Sequence, residues 1–191
     1  MDSFGLNDRQ FGLLIAYVIP GFLVVNGMSF HLPVIAGWLG PTHQPSLGGV
    51  LYITLSSVGC GLVVSALRWL VVDTFFHRTG VEQARWGLSE LRENLQAFEV
   101  FVLYTYRYYQ FYANCAVAVF IWFALRMLHT HEFNAESTAF LLGIESVLLA
   151  GARDTLGKYY RRTNEILHPP SRLVISSSIG DLPPRPVEPA T

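Results

Sequence analysis

Glu145 is the residue with the most chemistry to offer. It stands inside an apolar run, L-L-G-I-E-S-V-L-L-A, ten residues on from the start of the stretch 135–157. A carboxylate held in hydrocarbon is costly, and by default it marks a proton relay, an ion path or a packing contact. Thr54, Ser56 and Ser57 sit in an earlier apolar run at what should be a similar depth. Their hydroxyls could hydrogen-bond the carboxyl group, and we favour this packing role. A second group is histidine-rich: His31 and His43 in one connecting segment, His129 and His131 in another, with Glu132 and Glu136 nearby. Imidazole and carboxylate together suit zinc or a similar ion. His-x-His is the sole tight spacing, however, so we read these as polar residues at a membrane boundary. No nucleophile elbow, P-loop, HExxH or dinucleotide fingerprint is present. The expectation is a protein that is not an enzyme and uses no cofactor.

The elements that must position these groups are membrane helices. Charged residues make up 14% of the 191, against 51% hydrophobic; soluble domains carry ~25% charged. The net charge of −1 argues against a nucleic-acid partner. Cys60 and Cys115 both lie in apolar runs and imply no disulfide framework. Asp2, Asp8 and Arg9 make a poor basic leader, so the first apolar run is expected to stay as an anchor.

We expect an all-α, four-transmembrane-helix integral membrane protein, with spans at about 10–30, 48–72, 108–128 and 135–157. The first holds Pro20-Gly21 near its centre, which predicts a kink whose freed carbonyl a neighbour must satisfy. Asn26, further along, should bond another helix. In the second, Ser57, Gly61 and Ser65 recur every four residues and offer one face for close packing, within the chain rather than across a dimer. Residues 31–47 contain Pro33, Pro41 and Pro45 and read as an apolar loop whose Trp38 rests in the interface.

Residues 89–107 predict a cytoplasmic amphipathic helix continuous with the third span. Its cap is Ser89, and its stripe is Leu91, Leu95, Phe98 and Val102. Tyr104, Tyr106, Arg107, Tyr108, Tyr109 and Tyr112 follow, a set expected to anchor at headgroup level. The short connection 129–134 makes the last two spans an antiparallel hairpin. Residues 158–191 should form a basic juxtamembrane segment and a disordered, Pro/Ser-rich tail. Of the 13 Lys and Arg, only Arg126 falls toward the two short loops. Basic residues near spans mark the cytoplasmic side. Both termini are therefore expected in the cytoplasm, with the inner (plasma) membrane as location.

Three resemblances bear on function. G-V-L-Y-I-T-L-S-S, V-S-A-L-R-W-L-V-V-D, H-R-T-G and Y-R-Y-Y-Q-F-Y-A-N resemble an uncharacterised group of small multi-span bacterial membrane proteins. That resemblance covers about Phe11 to Leu128 and implies an integral membrane protein with no known activity. Arg162, five residues and His168 superficially resemble the HEPN ribonuclease motif, but no soluble four-helix domain surrounds them. Glu145 resembles the single membrane glutamate of small multidrug transporters, although there it lies in the first span of a much shorter chain. The partners expected are the lipid bilayer and a membrane protein or second copy. The leading function is a non-enzymatic scaffold or partner-binding subunit; the alternative is a small ion- or proton-coupled transporter or channel using Glu145.

Overall fold

A computed structural model describes residues 8–39, 47–81, 103–132 and 134–167. The described residues are all-helical: α1 (Asp8–Met28), α2 (Pro33–Leu39), α3 (Leu47–Arg78), α4 (Leu103–Thr130) and α5 (Ala135–Leu167). Helices α3, α4 and α5 are each long and apolar enough to cross a membrane, which marks a membrane protein. Their outward faces carry bare hydrocarbon, including Leu55, Leu62 and Leu70 on α3 and Phe140 and Val147 on α5. In water such faces would be covered; in lipid they need no cover.

Helices α1, α3 and α4 pack on one another, α1 closely on both of the others, and α5 packs on α4 and, at one end, on the tip of α3. Glycines permit the close packing of α1. A Cβ on Gly21 would meet Ser57 O at 1.8 Å, and one on Gly61 would meet Tyr17 O at 2.1 Å. Helices α1 and α3 therefore touch backbone to backbone. Ser57 and Gly61 of the small-residue face point at α1, and Ser65 is half-buried beside them. Gly27 is six residues on from Gly21, about 120° round α1, and lets α4 approach at Trp122. Val24, Val64 and Ala118 close the centre between the three helices.

Several boundaries differ from the sequence expectation, each for a local reason. The loop 31–47 contains a short helix, α2, begun by Pro33 in the first-turn position that proline favours. Trp38 stacks on Tyr52 of α3 at 5.4 Å. Helix α3 runs past residue 72 because its first stop is Gly80, at φ 93°. There Val81 N–H bonds Phe76 O at 3.1 Å and Val81 packs on the core beside Phe76, a Schellman ending. Helix α5 continues to Leu167, ten residues past the expected 157, because no proline intervenes before Pro169. The basic segment 158–167 is thus a continuation of α5. The expected amphipathic helix 89–107 falls largely outside the described residues, as do His43 and the tail 168–191.

The glycine seam predicts a sharp contrast. Gly61→Ala should lower stability by about 1–3 kcal/mol through overpacking. Gly59→Ala, on the same helix with open space beside it, should cost nothing measurable. Thermal unfolding of the two variants in one detergent checks both.

Candidate functional site

One end of the bundle gathers most of the described polar side chains. It begins with a local defect in α3. Residues Trp69–Asp73 form a single π turn between two α-helical stretches, in which bonding shifts from i→i+4 to i→i+5. Arg68 and Asp73 are five apart. In an α-helix, at about 100° per residue, they would point ~140° away from each other. The π turn brings them to the same side, with Arg68 Nη2 3.9 Å from Asp73 Oδ2. Both side chains are shielded from solvent, and Tyr109 of α4, fully buried, completes the group. Its hydroxyl donates to Asp73 Oδ1, and its ring lies under the Arg68 guanidinium at 5.2 Å. Val72, Phe76, Ala113, Ala152 and Leu156 wall this triad with hydrocarbon.

Past the triad, α3 is tied to α5. Arg153 Nη2 donates to Thr79 O at 3.0 Å, and Nη1 reaches Thr79 Oγ1 at 3.4 Å. A cation at a helix C-terminus is favoured by the exposed carbonyls there. His77 Nε2 and Tyr160 Oη are 3.1 Å apart. Helix α5 is tied in turn to α4 by Arg162 Nη1 donating to Thr105 Oγ1 at 2.9 Å, and by Tyr106 packed on Tyr159 at 4.9 Å. Chemically this is a cross-braced platform of cations and phenols. Among the described residues no group of three or more His, Cys, Asp or Glu could hold a metal ion.

A second polar device lies deeper. Pro20 has no N–H, so Ala16 O loses its helical donor. Asn114 of α4, fully buried, supplies one: Nδ2 donates to Ala16 O at 2.8 Å. Nearby, Gln110 Nε2 donates to Tyr17 Oη at 3.4 Å. Asn26 bonds across helices as well, accepting Trp122 Nε1–H at 2.9 Å.

The remaining candidates scatter. Glu145 is half-buried on α5, and its Oε1 has no hydrogen-bond partner among the described residues. The structure does not bring it to Thr54, Ser56 or Ser57, because α5 packs on α4 whereas Ser57 points at α1 on the other side of the bundle. The Thr54 hydroxyl bonds its own helix at Val50 O. Of the tyrosine set, Tyr109 is a core residue rather than a headgroup anchor, and Tyr106 is half-buried on its neighbours' rings. Tyr112 packs beside Gly151 of α5, and the Arg107 side chain lies along α1 at Gly12. Tyr108 is exposed, while the Tyr104 side chain is outside the described set. At the opposite end, His31 and His129 meet edge to face at 5.6 Å. His31 Nε2–H donates to Leu125 O at 2.9 Å. His131 is exposed in the turn that follows.

Sequence reasoning missed Arg68, Asp73 and Asn114. The spacing five of Arg68 and Asp73 belongs to no α-helical pairing rule, and only a π turn reconciles it. Asn114 had a signal, the vacant donor at Pro20, but nothing in the sequence says which helix answers it. No protein-family model, curated protein or solved structure matches the chain.

The Pro20–Asn114 pairing makes a double-mutant prediction. Asn114→Ala should destabilise the fold by about 1–3 kcal/mol, the cost of an orphaned buried carbonyl. Pro20→Ala restores a backbone donor to Ala16 O, so the same Asn114→Ala change should cost clearly less in that background. Unfolding midpoints of the four proteins give the coupling directly; simple additivity would show the amide is not serving the carbonyl.

Proposed function

We propose that the chain is a four-span protein of the inner (plasma) membrane with both termini cytoplasmic. On this reading it works without catalysis, as a scaffold or partner-binding subunit. The observation that carries the proposal is the cross-braced basic end. Helix α5, at 33 residues, is about 50 Å long, against a hydrocarbon core of ~30 Å. The interfacial aromatics help to divide that surplus. Trp38 and Tyr52 stack near one end, and exposed Trp69 lies at the level of the triad near the other. Beyond that level α5 has about ten more residues and α3 about five, and these are the parts that Arg153, His77 and Arg162 brace. The result is a rigid crown standing off the membrane, a fit surface for another protein. Helix α1, with 21 residues, has the length of a fourth span at ~1.5 Å per residue. Arg78, Arg153, Lys158, Arg161 and Arg162 all lie at the crown, which favours the cytoplasmic side for it.

The transporter or channel reading has one observation in its favour, the unpartnered Glu145 Oε1. Against it stands the position of Glu145, on the outer helix α5 between exposed Leu142 and Val147 rather than in the interior of the bundle.

Two measurements test these readings. Reporter fusions at residue 40 and at the C-terminus should report opposite sides of the membrane; the same side for both would end the four-span model. A benzoylphenylalanine photo-crosslinker in place of Arg78 or Arg161 should give a discrete adduct in intact cells, and one in place of lipid-facing Val147 should not. An adduct of twice the 21.4 kDa chain mass would make the partner a second copy. Absence of any crown adduct, together with a flux in reconstituted vesicles that Glu145→Gln abolishes, would replace the scaffold with the transporter.

A further inference from the structure

We infer that the Arg68–Asp73–Tyr109 triad is a register latch: it holds the π turn in α3 and so sets the rotation of the α3 tip within the crown. The argument starts from what the π turn costs and gains. A π turn is a rare interruption of the α-helix, and it needs a cause. No proline and no glycine lies between Arg68 and Asp73 to force it. What it achieves is the alignment of one cation and one anion on a single face, opposite the one phenol that can hold both. Tyr109 gives its hydroxyl to the Asp73 carboxylate and its ring to the Arg68 guanidinium.

The latch is poised rather than fully satisfied. The Arg68 side chain is only 5% exposed, yet Nε and Nη1 have no hydrogen-bond partner. At 3.9 Å, the contact to Asp73 is an ion pair without a close hydrogen bond. A buried charge in that condition is retained only while its counter-charge stays in place. It also has somewhere to go. Arg68 is adjacent to Trp69, which is 67% exposed, at the depth where long basic side chains extend to the membrane boundary.

Release of the pair has a defined consequence. If the π turn relaxes to α-helix, one residue leaves the bulge, and everything after it rotates by about 100° about the helix axis. The rotating part is Asp73 to Val81. It carries Phe76 out of the core, His77 away from Tyr160, and Thr79 away from Arg153. Three contacts between α3 and the rest of the crown thus depend on one ion pair at the membrane boundary. By reciprocity, an occupant that draws the α3 tip out of the crown also opens the pair. Only this last step rests on the crown being a partner-binding surface. The latch itself is a property of the isolated chain.

The test uses the full-length protein in nanodiscs with no partner, so its outcome is independent of whether the crown binds anything. Asp73→Asn keeps the shape and the acceptor for Tyr109 but removes the counter-charge. Tyr109→Phe, the milder variant, keeps the ring and removes only the hydroxyl. Amide hydrogen exchange is followed by mass spectrometry, and Arg68 reactivity by phenylglyoxal labelling. In the native protein residues 69–81 should be protected and Arg68 unreactive. In Asp73→Asn, exchange over 69–81 should rise at least tenfold and Arg68 should label, while α1 and residues 47–67 keep their native protection. Tyr109→Phe should show the same pattern at smaller amplitude. Unchanged exchange over 69–81 in Asp73→Asn overturns the latch. So does an equal rise across α1, α3 and α4 in both variants, which would make the triad an ordinary part of the core.

Discussion

Everything in this bundle depends on the absence of two methyl-sized groups. Gly21 and Gly61 let α1 and α3 meet at their backbones, and no side chain other than hydrogen fits at either position. In lipid the hydrophobic effect does not drive helices together, so close packing and polar contacts must do so. Contact at this distance gives van der Waals attraction along both backbones. It also fixes α1 as the inner helix, with one side given to α3 and the other left for α4. The rest follows in sequence. The Pro20 defect, beside Gly21, leaves the Ala16 carbonyl bare, and Asn114 of α4 answers it. Asn26 meets Trp122 three turns further along. Helix α5 makes no comparable contact with α1 and packs on α4 through Ala152, Gly151 and Leu156.

The long apolar helices were legible because hydrocarbon needs no partner: a run of Leu, Val and Phe means the same thing wherever it packs. The small-residue face of α3 was legible for a related reason, since Ser57 and Gly61 share a face by spacing alone. Legibility failed where the outcome depended on a second helix. Thr54 and Ser57 fall at a plausible depth for Glu145, but depth says nothing about which face each residue takes: Thr54 bonds its own helix, Ser57 meets α1, and Glu145 is on α5, which packs on α4. Tyr109 looks like its neighbours in Y-R-Y-Y-Q-F-Y. It is buried because Arg68 and Asp73 face it, and that pair is invisible until the π turn is known. Loss of apolar character marks the ends of the expected spans at 72 and 157, but a helical backbone needs no hydrocarbon to continue: α3 runs on to its glycine stop at Gly80, and α5 is helical through Leu167.

The two ionisable groups without full partners, Arg68 and Glu145, differ in a way that separates the two functional readings. Arg68 is buried between α3 and α4 near one end of the bundle, and its counter-charge is in the same turn. Glu145 is on α5, the helix with the least of its apolar window buried, between exposed Leu142 and Val147. A solute path through the bundle would have to part the α1–α3 seam, where backbones already touch. A path using Glu145 would instead run along the α4–α5 face, beside lipid, and would leave the seam intact. The glycine seam holds α1 and α3 at backbone contact, away from the α3 tip beyond the π turn and from the outer helix α5. The ion pair of Arg68 and Asp73 thus sits where the α3 tip joins the glycine-packed part of the same helix, and Glu145 has no part in that junction.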